Sequence, residues 1–128
     1  TALELINRLD IQTFLTGGHL RASTVSLSGY HVWDMLGKIY ATVGFFGARG
    51  VAITQGFTEA NLQEADVKRR MRERCQEVIV GADGGKFGQV ALAPFGEITS
   101  ARRIITDDTA PEADLHPIRQ LGVEVIVV

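Results

Sequence analysis

The chain is predicted to fold as an α/β domain whose open, mainly parallel sheet is covered by helices. Short apolar runs alternate with segments of helical period, the pattern of strands joined by crossover helices. Fourteen glycines stand against three prolines, and the glycines gather where the apolar runs end. The length of 128 residues suits one core, so a single domain is expected over 1–128. With 45% hydrophobic and 22% charged residues the chain is too apolar to be disordered. Its formal net charge of −2 gives no whole-chain argument for binding nucleic acid. The basic stretch at Lys68, Arg69, Arg70, Arg72 and Arg74 is interleaved with Glu64, Asp66, Glu73 and Glu77, and reads as a salt-bridged helix face.

Taken in order, Thr1–Leu9 reads as the end of a helix, with Leu3, Leu5, Ile6 and Leu9 as its apolar positions. A chain opening inside an element is expected to be cut at its N-terminus. Ile11–Thr16 reads as a strand stopped by Gly17-Gly18, and His19–Ser28 as a polar loop. Val32, Trp33, Leu36 and Ile39 predict a short helix from Tyr30 to Ile39; Thr42–Phe46 is a buried strand ending at Gly47, and Gly50–Thr58 a working loop. Asn61-Leu62-Gln63-Glu64 has the form of a capping box, in which the Asn61 side chain accepts from the Glu64 amide and Glu64 reaches back. The helix that follows carries Leu62, Ala65, Met71 and Cys75 on one stripe, with Glu64–Lys68 and Asp66–Arg70 as i,i+4 pairs. Glu77–Gly81 and Arg103–Thr106 are strands. Pro111 and Pro117 predict two short helical pieces, and Val123–Val128 closes the chain as a strand.

Three predicted strands run into glycine loops and a fourth into Asp107-Asp108, and in a parallel sheet such ends lie on one side, where open α/β folds bind ligands. The richest loop is Gly81-Ala82-Asp83-Gly84-Gly85-Lys86-Phe87-Gly88. Its glycines allow close backbone approach to a ligand, and Lys86 supplies a mobile positive charge for a phosphate; the alternative is a tight turn with a solvent lysine. It is no P-loop, because Val80 stands where the first glycine is needed and Phe87 where Ser or Thr is needed. Gly44–Gly50 lacks a dinucleotide fingerprint, and its Arg49 faces either an anionic ligand or solvent. His19, His31 and His116 have no metal-ligand spacing with Cys75, so no metal and no cofactor is expected. Cys75 is the only cysteine and reads as core on its helix stripe; with no disulfide available, a reducing cytoplasm is the expected compartment. Neither a signal peptide nor an apolar run of about 18 residues is visible. Asp83, Asp107 and Asp108 at strand tips leave acid–base chemistry open, with turn and cap roles favoured for the last two.

The same residues resemble a known family. The order Phe14–Arg21, then Phe45-Phe46-Gly47-Ala48 with Gly50, then Gly56-Phe57-Thr58, then Glu64–Met71 is similar to the C-terminal effector domain of DeoR-type bacterial transcriptional repressors. Ala82–Gly88 resembles that family's aspartate, small-residue and Lys-Phe-Gly signature, and Ile104–Asp107 its late strand motif. The resemblance covers almost the whole chain.

It implies a fold related to ribose-5-phosphate isomerase and glucosamine-6-phosphate deaminase, in which a phosphorylated sugar is sensed and no reaction is catalysed. It also implies a helix-turn-helix domain outside this chain that binds operator DNA, and a homodimer or homotetramer. By motif match it carries ligand-binding roles onto Gly17, Gly18, Gly47, Gly50, Glu64, Lys68, Asp83 and Lys86, with Lys86 the leading anion contact. No catalytic residue is carried over, and no membrane partner is implied. The chain departs from the pattern at Thr42, near which the family has an acidic residue, and at Gly85, where the family has a small polar one. An earlier strand and a threonine- and glycine-rich phosphate loop of the family have no counterpart here. An active isomerase or deaminase and an oligomerisation domain with an empty pocket are the alternatives.

Overall fold

The computed structural model describes residues 2–128, leaving Thr1 of the predicted first helix outside the described residues. Four strands, β3 (Ala41–Gly47), β6 (Cys75–Gly81), β8 (Arg103–Thr106) and β9 (Glu124–Val127), form one sheet in the order β3-β6-β8-β9. Every pairing in it is parallel. A second, antiparallel sheet joins β4 (Gly50–Ala52), β5 (Gly56–Glu59) and β7 (Ala93–Gly96), and a two-stranded hairpin joins β1 (His19–Arg21) to β2 (Ser26–Ser28). The helices are α1 (Ala2–Leu5), α2 (Tyr30–Gly37), α3 (Leu62–Glu73) and α4 (Glu112–Gln120).

The core explains the arrangement. Phe46, Val78, Val80 and Ile104 from the parallel sheet, Ala65 of α3, and Leu115 and Ile118 of α4 enclose one apolar cluster with Val51, Phe57 and Phe95 of the antiparallel sheet. Phe57 is fully buried and stacks on Phe95, their ring centroids 5.9 Å apart. Burying side chains of this size contributes about 1.5–3 kcal/mol each, so this junction fixes the antiparallel sheet on the parallel one. Val32 and Leu36 of α2 pack on Val67 of α3 in a smaller cluster. On the sheet's other face Arg103 ties Glu77 and Glu124 across three strands, at 2.6 and 2.7 Å, while Phe45 remains 72% exposed. Among the described residues no helix is long and apolar enough to cross a membrane.

Several elements differ from the sequence reading. Ile11–Thr16 belongs to no strand, and Phe14 and Leu15 are exposed. A strand exists only through a neighbour that satisfies its backbone groups, and no described strand lies beside this segment. His19–Ser28 contains the β1–β2 hairpin, turning through Val25 with its φ of 50°. The working loop at 50–58 is the β4–β5 hairpin; Gly56 to Glu59 are all buried, which removes the alternation that would have marked a strand. β7 was not foreseen, since its Pro94 argues against a central strand; it stands at a sheet edge, where proline is tolerated.

The capping box is only half formed. Asn61 accepts from the amides of Gln63 at 2.9 Å and Glu64 at 3.2 Å, whereas the Glu64 carboxylate turns to the β1–β2 hairpin. Of the two i,i+4 pairs, Asp66–Arg70 is present at 3.5 Å, while Glu64 and Lys68 find other partners. Cys75 is no helix residue. It opens β6 and donates to the Met71 carbonyl at 3.0 Å, and partial burial pushes its thiol pKa up. Pro117 lies inside a single helix, α4, instead of dividing it. The proline removes one backbone donor there, while Leu115 and Ile118, buried to within 2%, anchor the helix on the sheet.

Candidate functional site at the strand tips

Parallel pairing sets the C-terminal tips of β3, β6 and β8 side by side. Gly47 of β3 is in register with Gly81 of β6, and Gly81 with Ile105 of β8. The chain continuing from Gly81 is held at this edge by the Ala82 amide, which donates to the Ile105 carbonyl at 3.0 Å. Gly84–Lys86 then form one 3-10 turn capped by Asp83, whose carboxylate accepts from the Gly85 amide at 3.1 Å. The turn seats against the loop after β8. A Cβ on Gly84 would lie 2.3 Å from the Ala110 nitrogen, so only glycine fits. Asp107 accepts the Gly84 amide at 3.2 Å and both the amide and the hydroxyl of Thr109, and these bonds, the Thr109 hydroxyl first, hold its carboxyl below the usual carboxylate range.

The β4–β5 hairpin closes the other side. Val51 bridges to Phe87, and the Gly88 amide donates to the Val51 carbonyl at 2.9 Å. A Cβ on Gly50 would lie 2.4 Å from the Gln89 carbonyl oxygen. Behind the tips, Lys68 of α3 donates to the Gly47 carbonyl at 2.7 Å, is ion-paired with Glu59, and lies 5.3 Å from the Phe95 ring centroid. The Glu59 side chain is only 7% exposed and that of Lys68 23%. Lys86 is different: its sole ionic partner among the described residues is Asp83, at 3.4 Å, and that carboxylate is 58% exposed.

Five of the eight residues singled out by sequence, Gly47, Gly50, Lys68, Asp83 and Lys86, thus belong to one connected edge. The other three belong to the β1–β2 hairpin and its anchor. Gly18, with its φ of 97°, packs under the Ser28 carbonyl, where a Cβ would come within 2.5 Å. Glu64 accepts from the hydroxyls of Thr24 at 2.7 Å and Ser26 at 3.1 Å and lies 3.5 Å from the Arg21 Nε, fastening the hairpin to α3. Gly17, with its φ of 71°, leads into that hairpin, and nothing lies within 4 Å of where its Cβ would be. Sequence reasoning missed Glu59, which precedes Lys68 by nine positions on a different element, so no helical spacing could have joined them. Asp107 was read as a cap, and it does hold the Gly84 turn.

This edge brings together backbone at glycines, one loosely paired ammonium and carboxylates able to accept from hydroxyls, groups with which a small anion could be held. Residues 1–108 match the family described as the DeoR C terminal sensor domain. The chain is 31% identical over 124 residues to a putative aga operon transcriptional repressor of Escherichia coli O157:H7, covering 97% of this chain and 46% of that protein. It is 30% identical over 125 residues to the HTH-type transcriptional regulator GlpR of Haloferax volcanii, covering 98% of this chain and 49% of the relative. Against the deoxyribose operon repressor of Escherichia coli K12 it is 30% identical over 112 residues, covering 88% of this chain and 44% of that protein. The chain therefore spans about half the length of the curated relatives it matches. Motif order, strand-tip architecture and the match over residues 1–108 lead to one conclusion: the chain belongs to the DeoR C-terminal sensor domain family.

Proposed function

We propose that this chain senses a phosphorylated sugar or sugar derivative at the tips of β3, β6 and β8, and that the bound ligand modulates operator binding by a helix-turn-helix domain. The observation carrying the reading is the glycine edge at Gly47 and Gly81 with Lys86 beside it, a cation held only by an exposed carboxylate. A phosphate brought to this edge exchanges the weak Asp83 contact for a charge-assisted bond to Lys86, while Asp83 becomes free to accept from a sugar hydroxyl. Lys68 supports the site from behind by fixing the Gly47 carbonyl. The parallel sheet with its ligand edge is what a sugar-phosphate isomerase-like fold requires, and the operon-repressor names of the relatives accord with a regulatory role.

Ligand bias follows from differential affinity: an effector shifts the DNA-binding arrangement only as far as it binds one arrangement better than the other. A dimer or tetramer would give those arrangements a structural basis. An NMR titration of the protein against a panel of phosphorylated sugars tests the reading, because the same spectra follow both partners. Saturable shifts at Gly81–Gly88 with the sugar unchanged are expected. Conversion of the sugar would make the protein an enzyme, and absence of binding across the panel would refute the sensor reading.

A further inference from the structure

A groove lies away from the strand tips, where the C-terminal half of α3 passes the edge strand β7. This groove of about 410 Å³ is lined by Gln55, Arg69, Arg72, Pro94, Gly96 and Glu97, with Phe95 beneath. Its volume is in the range of small-molecule sites, about 300–1,000 Å³. The two arginines, one helical turn apart, are in unlike states. Arg69 is fixed in place, donating to the Pro94 carbonyl at 2.8 Å and pairing with Asp66 at 3.3 Å. Arg72 has no hydrogen-bond or ion-pair partner among the described residues, and its Nε is buried and unsatisfied. Its stem lies on Gly96, where a Cβ would come within 3.1 Å of the Arg72 Cδ; the strand's lack of a side chain there is what lets the guanidinium settle into the groove.

A buried donor left without an acceptor is costly, and a guanidinium presents a fork of donors matched to an oxyanion. We infer that this groove is an anion site, taking a phosphate-sized oxyanion on the terminal nitrogens of Arg72, whose Nε is closed off against Gly96, with Arg69 beside it and the Gln55 amide as a further donor. Glu97 lines the same groove and sets its selectivity: its carboxylate repels a bare anion and favours one that also carries hydroxyls. The groove lies apart from Lys86 and the glycine loops; Phe95 alone is common to its floor and to the surroundings of Lys68.

The test is a titration of the protein with inorganic phosphate at constant ionic strength, read at the Arg72 Nε–Hε and Gln55 side-chain amide resonances. Saturable shifts are expected that sodium chloride does not reproduce. Arg72→Gln should weaken phosphate binding at the Gln55 amide about tenfold or more, the scale of one charge-assisted bond. Lys86→Met should leave the Arg72 response unchanged. Glu97→Gln should tighten binding, a gain that damage to the fold cannot produce, and it decides the matter if Arg72→Gln fails to fold. Shifts matched by chloride, or an unchanged affinity in both the Arg72 and Glu97 variants, would overturn the inference.

Discussion

Two lysines belong to the strand-tip edge and differ in the partners that hold them. Lys68 comes from a helix, its ammonium held between the buried Glu59 carboxylate and the Gly47 carbonyl and close to the Phe95 ring. Lys86 comes from a turn and meets only the half-exposed Asp83 carboxylate. In the first pair the carboxylate has been taken out of water, so the pair's attraction must offset that desolvation and removing Lys68 strands a buried charge. In the second the carboxylate remains hydrated, and a pair of that kind contributes about 0–1 kcal/mol. Position beside the strand-tip edge therefore does not by itself make a lysine available to a ligand. The available one is the lysine whose partners are weak.

The sharpest way to break this comparison is Glu59→Gln. With Lys68 left uncompensated, chemical denaturation should show a loss of about 3 kcal/mol, at the lower end for a broken buried pair because Gly47 still accepts from the ammonium. A loss below about 1 kcal/mol would place Lys68 in the same class as Lys86. Next in size is Gly50→Ala. The new Cβ would lie 2.4 Å from the Gln89 carbonyl oxygen and 2.6 Å from the Thr58 hydroxyl, and a backbone oxygen cannot withdraw as a side chain can. About 1–3 kcal/mol of destabilisation is expected, with the Lys86 loop displaced in the amide spectrum. Smaller still is Lys86→Met, for which the denaturation midpoint should move by under about 1 kcal/mol while sugar-phosphate binding falls at least tenfold.

The same contrast explains what the sequence could reveal. The parallel strands were legible because β3, β6, β8 and β9 are apolar runs that end at glycine, aspartate or the chain's own close, and α3 because Asn61 caps a strong helical stripe. Pairings made by tertiary contact were not. Glu64 is well spaced for Lys68 on a helical wheel, yet Thr24, Ser26 and Arg21 take its carboxylate, and Lys68 turns to a glutamate on β5. The β4–β5 hairpin was hidden for a related reason. Both its faces are buried, so Gly56-Phe57-Thr58-Glu59 carries no polar–apolar alternation. At the candidate site, Gly47, Asp83 and Lys86 announced themselves by residue type, whereas Glu59 lay unnoticed just beyond the stretch Gly50–Thr58 read as loop.

The subtlest expected effect concerns the turn that presents Lys86. Asp107 holds that turn by accepting the Gly84 amide, and its bonds to Thr109 and Gly84 lower its carboxyl pKa below the usual value of about 3.9. A carboxyl with a depressed folded-state pKa contributes stability that is present above its unfolded pKa and lost as pH falls through the folded one. The turn should therefore be unaffected by Asp107 from neutrality down to about pH 4 and loosen only below that. Hydrogen exchange at the Gly84 and Thr109 amides checks this directly, and Asp107→Asn gives the comparison: with one oxygen left to accept, both amides should exchange faster than in the parent at pH 6, and the difference should shrink in acid as the parent loses its charge. A constant difference down to pH 2 would mean that shape alone, through the close seating of Gly84 on Ala110, holds the turn, and that the Asp107 charge contributes nothing to where Lys86 sits.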